Sequence, residues 1–341
     1  MPTWGEILKE QKKTFEKEKK PPFDFVRRKY LKKLHDYTKR NTVLYASAWT
    51  QKTDVPPHFL SLTEEDIQGF MEVTQNLTGD QLDIIVHSPG GFLEATEALV
   101  TYLRTKFNHI RVIIPYGAMS AATMLACSAN EIIMGNHSFI GPIDPQKAIQ
   151  TRFGPQSVPA QAITEQFEMA KEECKKDPKN LAVWLPIIEQ YGPALLKQCE
   201  HASQLSKELV DKWLRTYMFA DIKDVLARKK RAKKVADKLS RHSHFKSHGR
   251  HIGISQAKKL GLRILTLEED KKLQDLVLSV FHSTTQTFDA TAAAKIIENH
   301  LGLAFVKQFA RVQVPVKRER PKEKDQKRMN QTIKPIIGPT T

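Results

Sequence analysis

The chain has 341 residues, a net charge of +16 and 40% hydrophobic residues, so it can bury a full core as one large domain or two smaller ones. Its three cysteines are too few and too scattered for a disulfide framework or a zinc site, and its lysine-rich amino terminus lacks the apolar segment of a signal peptide. The composition predicts a reduced, soluble, cytoplasmic protein, and no cofactor or metal is expected.

The first 40 residues predict a basic helical arm. Residues 1–21 are typical of a frayed helix, and residues 23–37 form a second helix that could dock on the core or on a neighbouring subunit. Residues 42–49 then alternate like a first strand, and a capping-box pattern opens a helix over residues 61–77. The arm therefore precedes the start of an α/β domain.

Two short segments rich in small residues follow, each at a point where an apolar strand gives way to a helix. The first, residues 87–91 (HSPGG), comes after the strand-like run 82–86, and the second, residues 116–122 (YGAMSAA), comes after the run 110–114. Consecutive strand–turn–helix units imply parallel strands, whose carboxyl ends share one edge of the sheet. We expect both turns to line the same rim.

These turns suit acyl transfer, which needs a hydroxyl at a tight turn and two N–H groups aimed at the oxygen that becomes negative. Ser120 is the candidate nucleophile. Gly91 offers one N–H without an obstructing side chain. Ala121 offers the second, because the first N–H groups of a helix have no intrahelical partner. The sequence therefore predicts a serine nucleophile with an oxyanion hole.

The apolar stretch from Val112 to Met134 is long enough to suggest a membrane span. It contains Pro115, Asn130 and Glu131, a composition that is poor for crossing lipid. The stretch is better explained as a strand, a turn and a buried helix, so no transmembrane segment is predicted.

Four motifs together resemble the serine dehydrogenase proteinase family, whose members are similar to Clp protease and signal peptide peptidase A. They are residues 84–91, 116–120, 129–135 and 140–146, within a match from about 40 to about 262. The resemblance implies a Clp/crotonase-like α/β fold, a spiral of short parallel β-strands with covering helices, here with helical N- and C-terminal extensions. It also implies a serine peptidase that acts on peptides or proteins as a homo-oligomer.

The family pattern and the helical periodicity divide the chain into segments. A Clp-like peptidase domain spans 41–265 and includes a helical insertion at about 161–240. A mobile loop is expected at 149–159, beside the rim. Two helices are expected within 266–310, over residues 266–282 and 288–309, and a disordered basic tail over 311–341.

The catalytic base does not follow the Clp pattern. Where Clp protease has its histidine, this chain has residues 141–143, and Gly249 stands at the position of the triad acid. His137 comes too early to replace that histidine. Asp144 is interpreted as a turn residue, with a role behind the active site as the alternative.

Three residues remain as candidates for the base. His248 ranks first, because it adjoins the position of the Clp triad acid, and His251 lies on the same element. Lys171 lies 51 residues after Ser120, near the distance at which the signal peptide peptidases have a lysine, but a basic lysine must lose its charge by burial. The histidines at 242, 244, 248 and 251 lack nearby acidic or cysteine ligands, so they do not predict a metal site.

The positive charge is concentrated in three segments and leaves a second functional hypothesis open. Residues 1–40, 221–263 and 311–341 carry +7, +11 and +6, so the remainder carries −8. The first hypothesis is a serine endopeptidase that forms an acyl-enzyme on Ser120. The alternative is a catalytically inactive Clp-fold scaffold that binds nucleic acid or an acidic protein partner through its basic extensions.

Overall fold

A mixed seven-stranded sheet forms the centre of the protein in the computed structural model, which describes residues 2–19, 21–151 and 154–310. The described strands are β1 (Asn41–Ser47), β2 (Gln81–His87), β3 (His109–Ile114), β4 (Gly117–Ala118), β5 (Glu131–Met134), β6 (Phe139–Ile140), β7 (Gln146–Thr151), β8 (Gly154–Pro159), β9 (Ile264–Thr266), β10 (Ala293–Asn299) and β11 (Ala304–Gln308). The large sheet has the order β11-β10-β1-β2-β3-β5-β9.

Helices cover both faces of this sheet. The described α-helices are α1 (Trp4–Glu18), α2 (Phe23–Thr38), α3 (Pro57–Leu60), α4 (Glu65–Thr74), α5 (Leu93–Lys106), α6 (Ala121–Cys127), α7 (Ala160–Lys176), α8 (Leu181–Ile188), α9 (Leu195–Trp213), α10 (Val225–Ser240), α11 (His242–Phe245), α12 (Ile254–Leu260) and α13 (Lys271–Ala290). None of these helices is both long and apolar enough to cross a membrane.

The strands β1, β2, β3, β5 and β9 are parallel, whereas β10 and β11 extend the sheet in antiparallel fashion beside β1. Successive side chains of a strand point to opposite faces, so both faces of the buried strands must be apolar. On β2, Ile84 packs in the core under α4 and α5, while Ile85 packs in the core under α2 and α13. The predicted α/β architecture, with covering helices, is confirmed.

The carboxyl-terminal part differs from the sequence prediction. The helix expected first in this region is α13, but the second predicted helix, residues 288–309, is wrong because that segment forms β10 and β11. Alanines at the start of β10 favour a helix, yet all seven β10 residues are buried and five of them, residues 295–299, pair with β1. Tertiary pairing here overrides local propensity.

Residues 149–240 form a hairpin followed by helices. The expected mobile loop at 149–159 contributes to a hairpin of β7 and β8, in which Ala148 pairs with Ser157. The segment 161–240, predicted to be a helical insertion, contains α8, α9, α10 and most of α7. The predicted basic tail, 311–341, lies outside the described residues.

The second helix of the amino-terminal arm is part of the core. Leu31 and Leu34 of α2 are fully buried against the sheet. Arg27, 1% exposed, forms an ion pair with Glu298 of β10 and donates to Thr287 Oγ1 of α13 at 2.9 Å. This helix is therefore held by the last strands of the fold.

His87, at the end of β2, gives the fold a specific pH dependence. The ring is fully buried among Trp49, Tyr116 and Phe281, and its Nε2 lies 3.2 Å from Thr50 Oγ1. Burial lowers its pKa from 6.5 to about 3, so below pH 6.5 the unfolded chain takes up a proton that the folded protein does not. We expect this group alone to lower the free energy of unfolding by about 2 kcal/mol between pH 7 and pH 5.

Urea unfolding of the wild type and of His87→Phe at both pH values measures this contribution. The phenylalanine cannot titrate, so the variant should lose less stability than the wild type over the same pH range. Equal losses in the two proteins would contradict a neutral buried His87.

Candidate active site

Ser120 occupies a strained turn between β4 and α6. Its φ of 50° and ψ of −119° lie outside the regions that a residue with a side chain normally adopts. Such strain costs about 1–3 kcal/mol and persists where the surrounding structure enforces it, often at functional sites. A sharp turn between a strand and a helix also presents the nucleophile of many serine hydrolases.

The two glycines of the first turn pack directly against other backbone segments: Gly90 against the Ser120 turn and Gly91 against Leu62. Gly90 has a φ of +92°, and a Cβ there would lie 2.8 Å from Ser120 Cβ and 2.5 Å from Met119 O. A Cβ on Gly91 would lie 2.1 Å from Leu62 O. Neither position tolerates a side chain, which explains the Gly-Gly pair by close approach of backbones.

The backbone pairing of Leu62 sets the direction of the Gly91 N–H. Leu62 N–H donates to Gly90 O at 2.7 Å, and Phe92 N–H donates to Leu62 O at 2.9 Å. Because successive N–H groups of an extended chain point to opposite sides, the intervening Gly91 N–H points away from Leu62. Among the described residues, no acceptor takes a hydrogen bond from this N–H or from that of Ala121.

A cavity of about 310 Å³ lies at this point. Ser120, Gly91 and Ala121 line it together with apolar side chains that include Met124 and Ile143. Ser120 is partly exposed to it. The cavity thus combines a hydroxyl, two free N–H groups and an apolar wall, which is the set of groups that acyl transfer requires.

Asp144 binds two histidines that are distant in sequence. His248 Nδ1–H donates to Asp144 Oδ1 at 2.8 Å, and His242 Nδ1–H donates to Asp144 Oδ2 at 2.8 Å. Gln146 Nε2 donates to the same Oδ2 at 3.0 Å. The Asp144 side chain is only 2% exposed, so this carboxylate is buried and fully engaged. The sequence analysis interpreted Asp144 as a turn residue and kept a role behind the active site as the alternative; the structure shows its carboxylate bound to both histidines.

The hydrogen bond to Asp144 selects the tautomer of His248. A carboxylate only accepts hydrogen bonds, so the proton of the neutral imidazole lies on Nδ1 and Nε2 keeps a free lone pair. This is the form that a general base needs. Ile143 and Pro145, on either side of Asp144, line the cavity that contains Ser120, while Asp144 itself lines a neighbouring cavity of about 610 Å³ that also includes Pro145.

His248 and His242 lie on different sides of Asp144. The segment of His248 runs into Ile252, which pairs with Ile140 of β6, and β6 pairs with β4, which leads to Ser120. His242 N–H donates to Gln161 Oε1 at 2.7 Å, and Gln161 lines the cavity of about 610 Å³ together with Asp144. The strand pairing connects the segment of His248 to the strand that leads to Ser120.

The other candidate bases make contacts elsewhere. Lys171 is exposed on α7 and donates to Glu168 at 2.9 Å, a hydrogen bond that raises its pKa, whereas a basic lysine needs a lowered pKa. His251 is exposed and stacks on Phe139 with ring centroids 3.6 Å apart. His137 Nε2 lies 2.8 Å from Pro115 O, so this ring is occupied by the backbone.

Two curated relatives match part of the chain, and both are uncharacterised proteins of Methanocaldococcus jannaschii. The first is 26% identical over 211 residues, which are 62% of this chain and 61% of the relative. The second is 29% identical over 172 residues, which are 47% of this chain and 57% of the relative. The matches thus span roughly three fifths of the relatives' own length.

Solved structures with a similar fold include two peptidases at low identity. A mutant of the 1510-N membrane-bound stomatin-specific protease has a TM-score of 0.36 and 12% identity, and the match covers 63% of this chain and 79% of that one. A mutant of ClpP1 from Listeria monocytogenes has a TM-score of 0.32 and 12% identity, covering 70% of this chain and 98% of that one. The model of one family, described as ClpP-like SDH-type serine proteinase, matches residues 27–283. The chain belongs to the ClpP-like SDH-type serine proteinase family.

Proposed function

We propose that this protein is a serine endopeptidase in which Ser120 is the nucleophile, His248 the general base and Asp144 the residue that orients His248. The observation that carries the proposal is the 2.8 Å hydrogen bond from His248 to the buried carboxylate of Asp144, whose chain neighbours Ile143 and Pro145 line the Ser120 cavity. Family membership supports serine peptidase chemistry in general, and the strained turn at Ser120 supports this serine in particular.

The reaction follows from these groups. His248 Nε2 takes the proton of Ser120 Oγ as the oxygen attacks the scissile carbonyl, and the carbonyl oxygen becomes negative. The N–H groups of Gly91 and Ala121 donate to that oxygen. Protonated His248 then gives its proton to the leaving amine, and the C–N bond breaks. Water, activated by the same histidine, hydrolyses the acyl-enzyme and restores Ser120.

A peptide or protein substrate and self-association are part of the proposal. The apolar wall of the cavity, which includes Met124 and Ile143, suits the side chain of a substrate residue next to the scissile bond. On α8, Leu181, Val183 and Leu185 are 53%, 69% and 46% exposed, an apolar surface of the kind that protein interfaces bury. We expect the protein to form homo-oligomers through such a surface.

The inactive-scaffold alternative rested mainly on the absence of a histidine and an acid at the Clp positions. The pair His248 and Asp144 supplies both groups, so that argument loses its force. The basic helix α10 does expose Lys229, Lys230 and Lys234, but a solvated helix face has the same appearance. Among the described residues, no contact or charge arrangement is therefore specific to a nucleic acid or an acidic partner.

A serine-directed fluorophosphonate probe tests the nucleophile. We expect the wild type to be labelled and the labelled peptide to contain Ser120, whereas Ser120→Ala should not be labelled. Ser255→Ala, which removes an exposed serine of α12, is the matched control and should be labelled like the wild type. Equal labelling of Ser120→Ala and the wild type would reject the assignment of Ser120.

A further inference from the structure

A fully buried ion pair lies behind the Gly91 turn, on the side away from Ser120. Lys295 of β10 donates from Nζ to Asp66 of α4, at 2.6 Å to Oδ1 and 2.8 Å to Oδ2. The two side chains are 0% and 1% exposed. Isolated buried ion pairs contribute little to stability, because desolvation offsets their attraction, and apolar residues often replace them without loss. The contribution of this pair to stability is therefore expected to be small, and its backbone contacts indicate what else it does.

Both partners hold the backbone on either side of Leu62. Lys295 Nζ donates to Ser61 O at 2.6 Å, immediately before Leu62. Asp66 Oδ2 accepts the N–H of Thr63 at 3.0 Å, immediately after Leu62. Tyr45 OH donates to the same Oδ2 at 2.8 Å and completes the shell of the carboxylate. The ion pair is thus a clamp on residues 61–63.

Leu62 in turn determines where the Gly90-Gly91 backbone lies. It is hydrogen-bonded to Gly90 O and to Phe92 N–H, and it approaches Gly91 so closely that a Cβ there would meet Leu62 O at 2.1 Å. Gly90 is also closely packed on the Ser120 turn, since a Cβ there would lie 2.8 Å from Ala121 N. A shift of Leu62 must therefore move the Gly91 N–H relative to Ser120.

We infer that Lys295 and Asp66 are positioning residues of the oxyanion hole, which hold Leu62 so that the Gly91 N–H faces the oxygen of the tetrahedral intermediate. This inference rests on the proposed peptidase function. Loss of one oxyanion donor typically lowers kcat by about 10²-fold to 10³-fold, and a displacement of about 1 Å has a comparable effect. Substrate affinity should change little, because the negative oxygen exists only after attack.

The test is a double variant, Lys295→Met with Asp66→Leu, which removes both charges at once and avoids a single unpaired charge in the core. We expect kcat to fall by about 10²-fold or more while KM stays within about threefold. Inhibition by a peptide boronate, whose bound form carries a negative oxygen, should weaken in step with kcat/KM. A purely structural role of the pair would leave the boronate and substrate affinities changed alike.

A second buried ion pair on the same strand provides the matched control. Arg27 and Glu298 are 1% and 0% exposed, and neither contacts residues 61–63. The double variant Arg27→Met with Glu298→Leu should keep the wild-type kcat, even where its thermal stability falls. An unchanged kcat in the Lys295/Asp66 variant, or an equal loss in the control, would overturn the inference.

If the Lys295/Asp66 variant does not fold, Tyr45→Phe tests the same clamp with a smaller change. It removes one donor to Asp66 and should lower kcat roughly threefold to tenfold without raising KM, and an unchanged kcat would count against the inference. Failure of the proposed function is distinguishable, because the wild type itself would then hydrolyse no peptide and bind no fluorophosphonate.

Discussion

Ser120→Ala, His248→Ala and the combination of both should lower kcat by nearly the same factor, up to about a million-fold. The serine and the histidine act as one unit, since every proton that the histidine transfers belongs to a step of the reaction at Ser120. Once either is lost, removal of the other has nothing further to abolish. The measurement is kcat for a fluorogenic peptide, with circular dichroism to establish that each variant is folded.

Two control variants separate His248 from the alternative bases. His251→Ala removes an exposed imidazole from the same element, and Lys171→Met removes an exposed ammonium from α7. Both should keep the wild-type kcat within about twofold, because surface substitutions away from the reacting groups have small effects. A loss in either control that matches the loss in His248→Ala would transfer the role of base to that residue.

Asp144→Asn should lower kcat by about 10⁴-fold, the loss that the equivalent change produces in a well-studied Ser-His-Asp triad. The amide can donate a hydrogen bond to Nδ1 of His248, which favours the tautomer with the proton on Nε2. That proton blocks the lone pair that must accept the proton of Ser120. The substitution keeps the size of the side chain, so folding should be little affected. The comparison of kcat between the wild type and Asp144→Asn measures the effect.

His242→Asn is the matched control for this prediction. His242 occupies the other carboxylate oxygen of Asp144, and its backbone N–H donates to Gln161, which lines the larger cavity. Its loss leaves the Nδ1–H of His248 bound to Asp144, so kcat should fall no more than about tenfold. A collapse of activity in His242→Asn, with a mild effect of His248→Ala, would exchange the roles of the two histidines.

The sequence predicted the part of the site that is local in the chain. The two turns follow directly from apolar runs that end in small residues, and the structure places Ser120, Gly91 and Ala121 around one cavity. Spacing alone could carry this prediction, because parallel strands bring their carboxyl ends to the same edge.

The sequence ranked His248 first among the candidate bases, but its contact with Asp144 could not be predicted in the same way, because it joins residues 104 positions apart. In the Clp pattern the histidine lies on the segment that matches 139–144 and the acid on the segment of Gly249. Here the two groups are exchanged, with Asp144 on the first segment and His248 on the second. A position-by-position comparison with the Clp pattern shows only that the histidine and the acid are missing from their usual places. The contact between the two segments shows that each segment carries the other residue type.

The strand β10 was missed for a related reason. Its alanines resemble the start of a helix, and the pairing that makes it a strand depends on β1, about 250 residues earlier. The burial of Lys295 could not be predicted for the same reason, since a lysine is normally exposed. Its burial follows only from the position of β10 inside the sheet.

The position of β10 in the sheet has a consequence for folding during synthesis on the ribosome. The strands β1 to β6 and the Ser120 turn are synthesised first, and until β10 pairs with it, β1 is an open edge of the sheet. If Lys295 has the proposed role, the Gly91 N–H that binds the oxyanion is also not yet held in place at that stage. On this proposal, a growing chain would contain Ser120 before its oxyanion hole is positioned. Peptidase activity would therefore begin only after β10 has paired with β1.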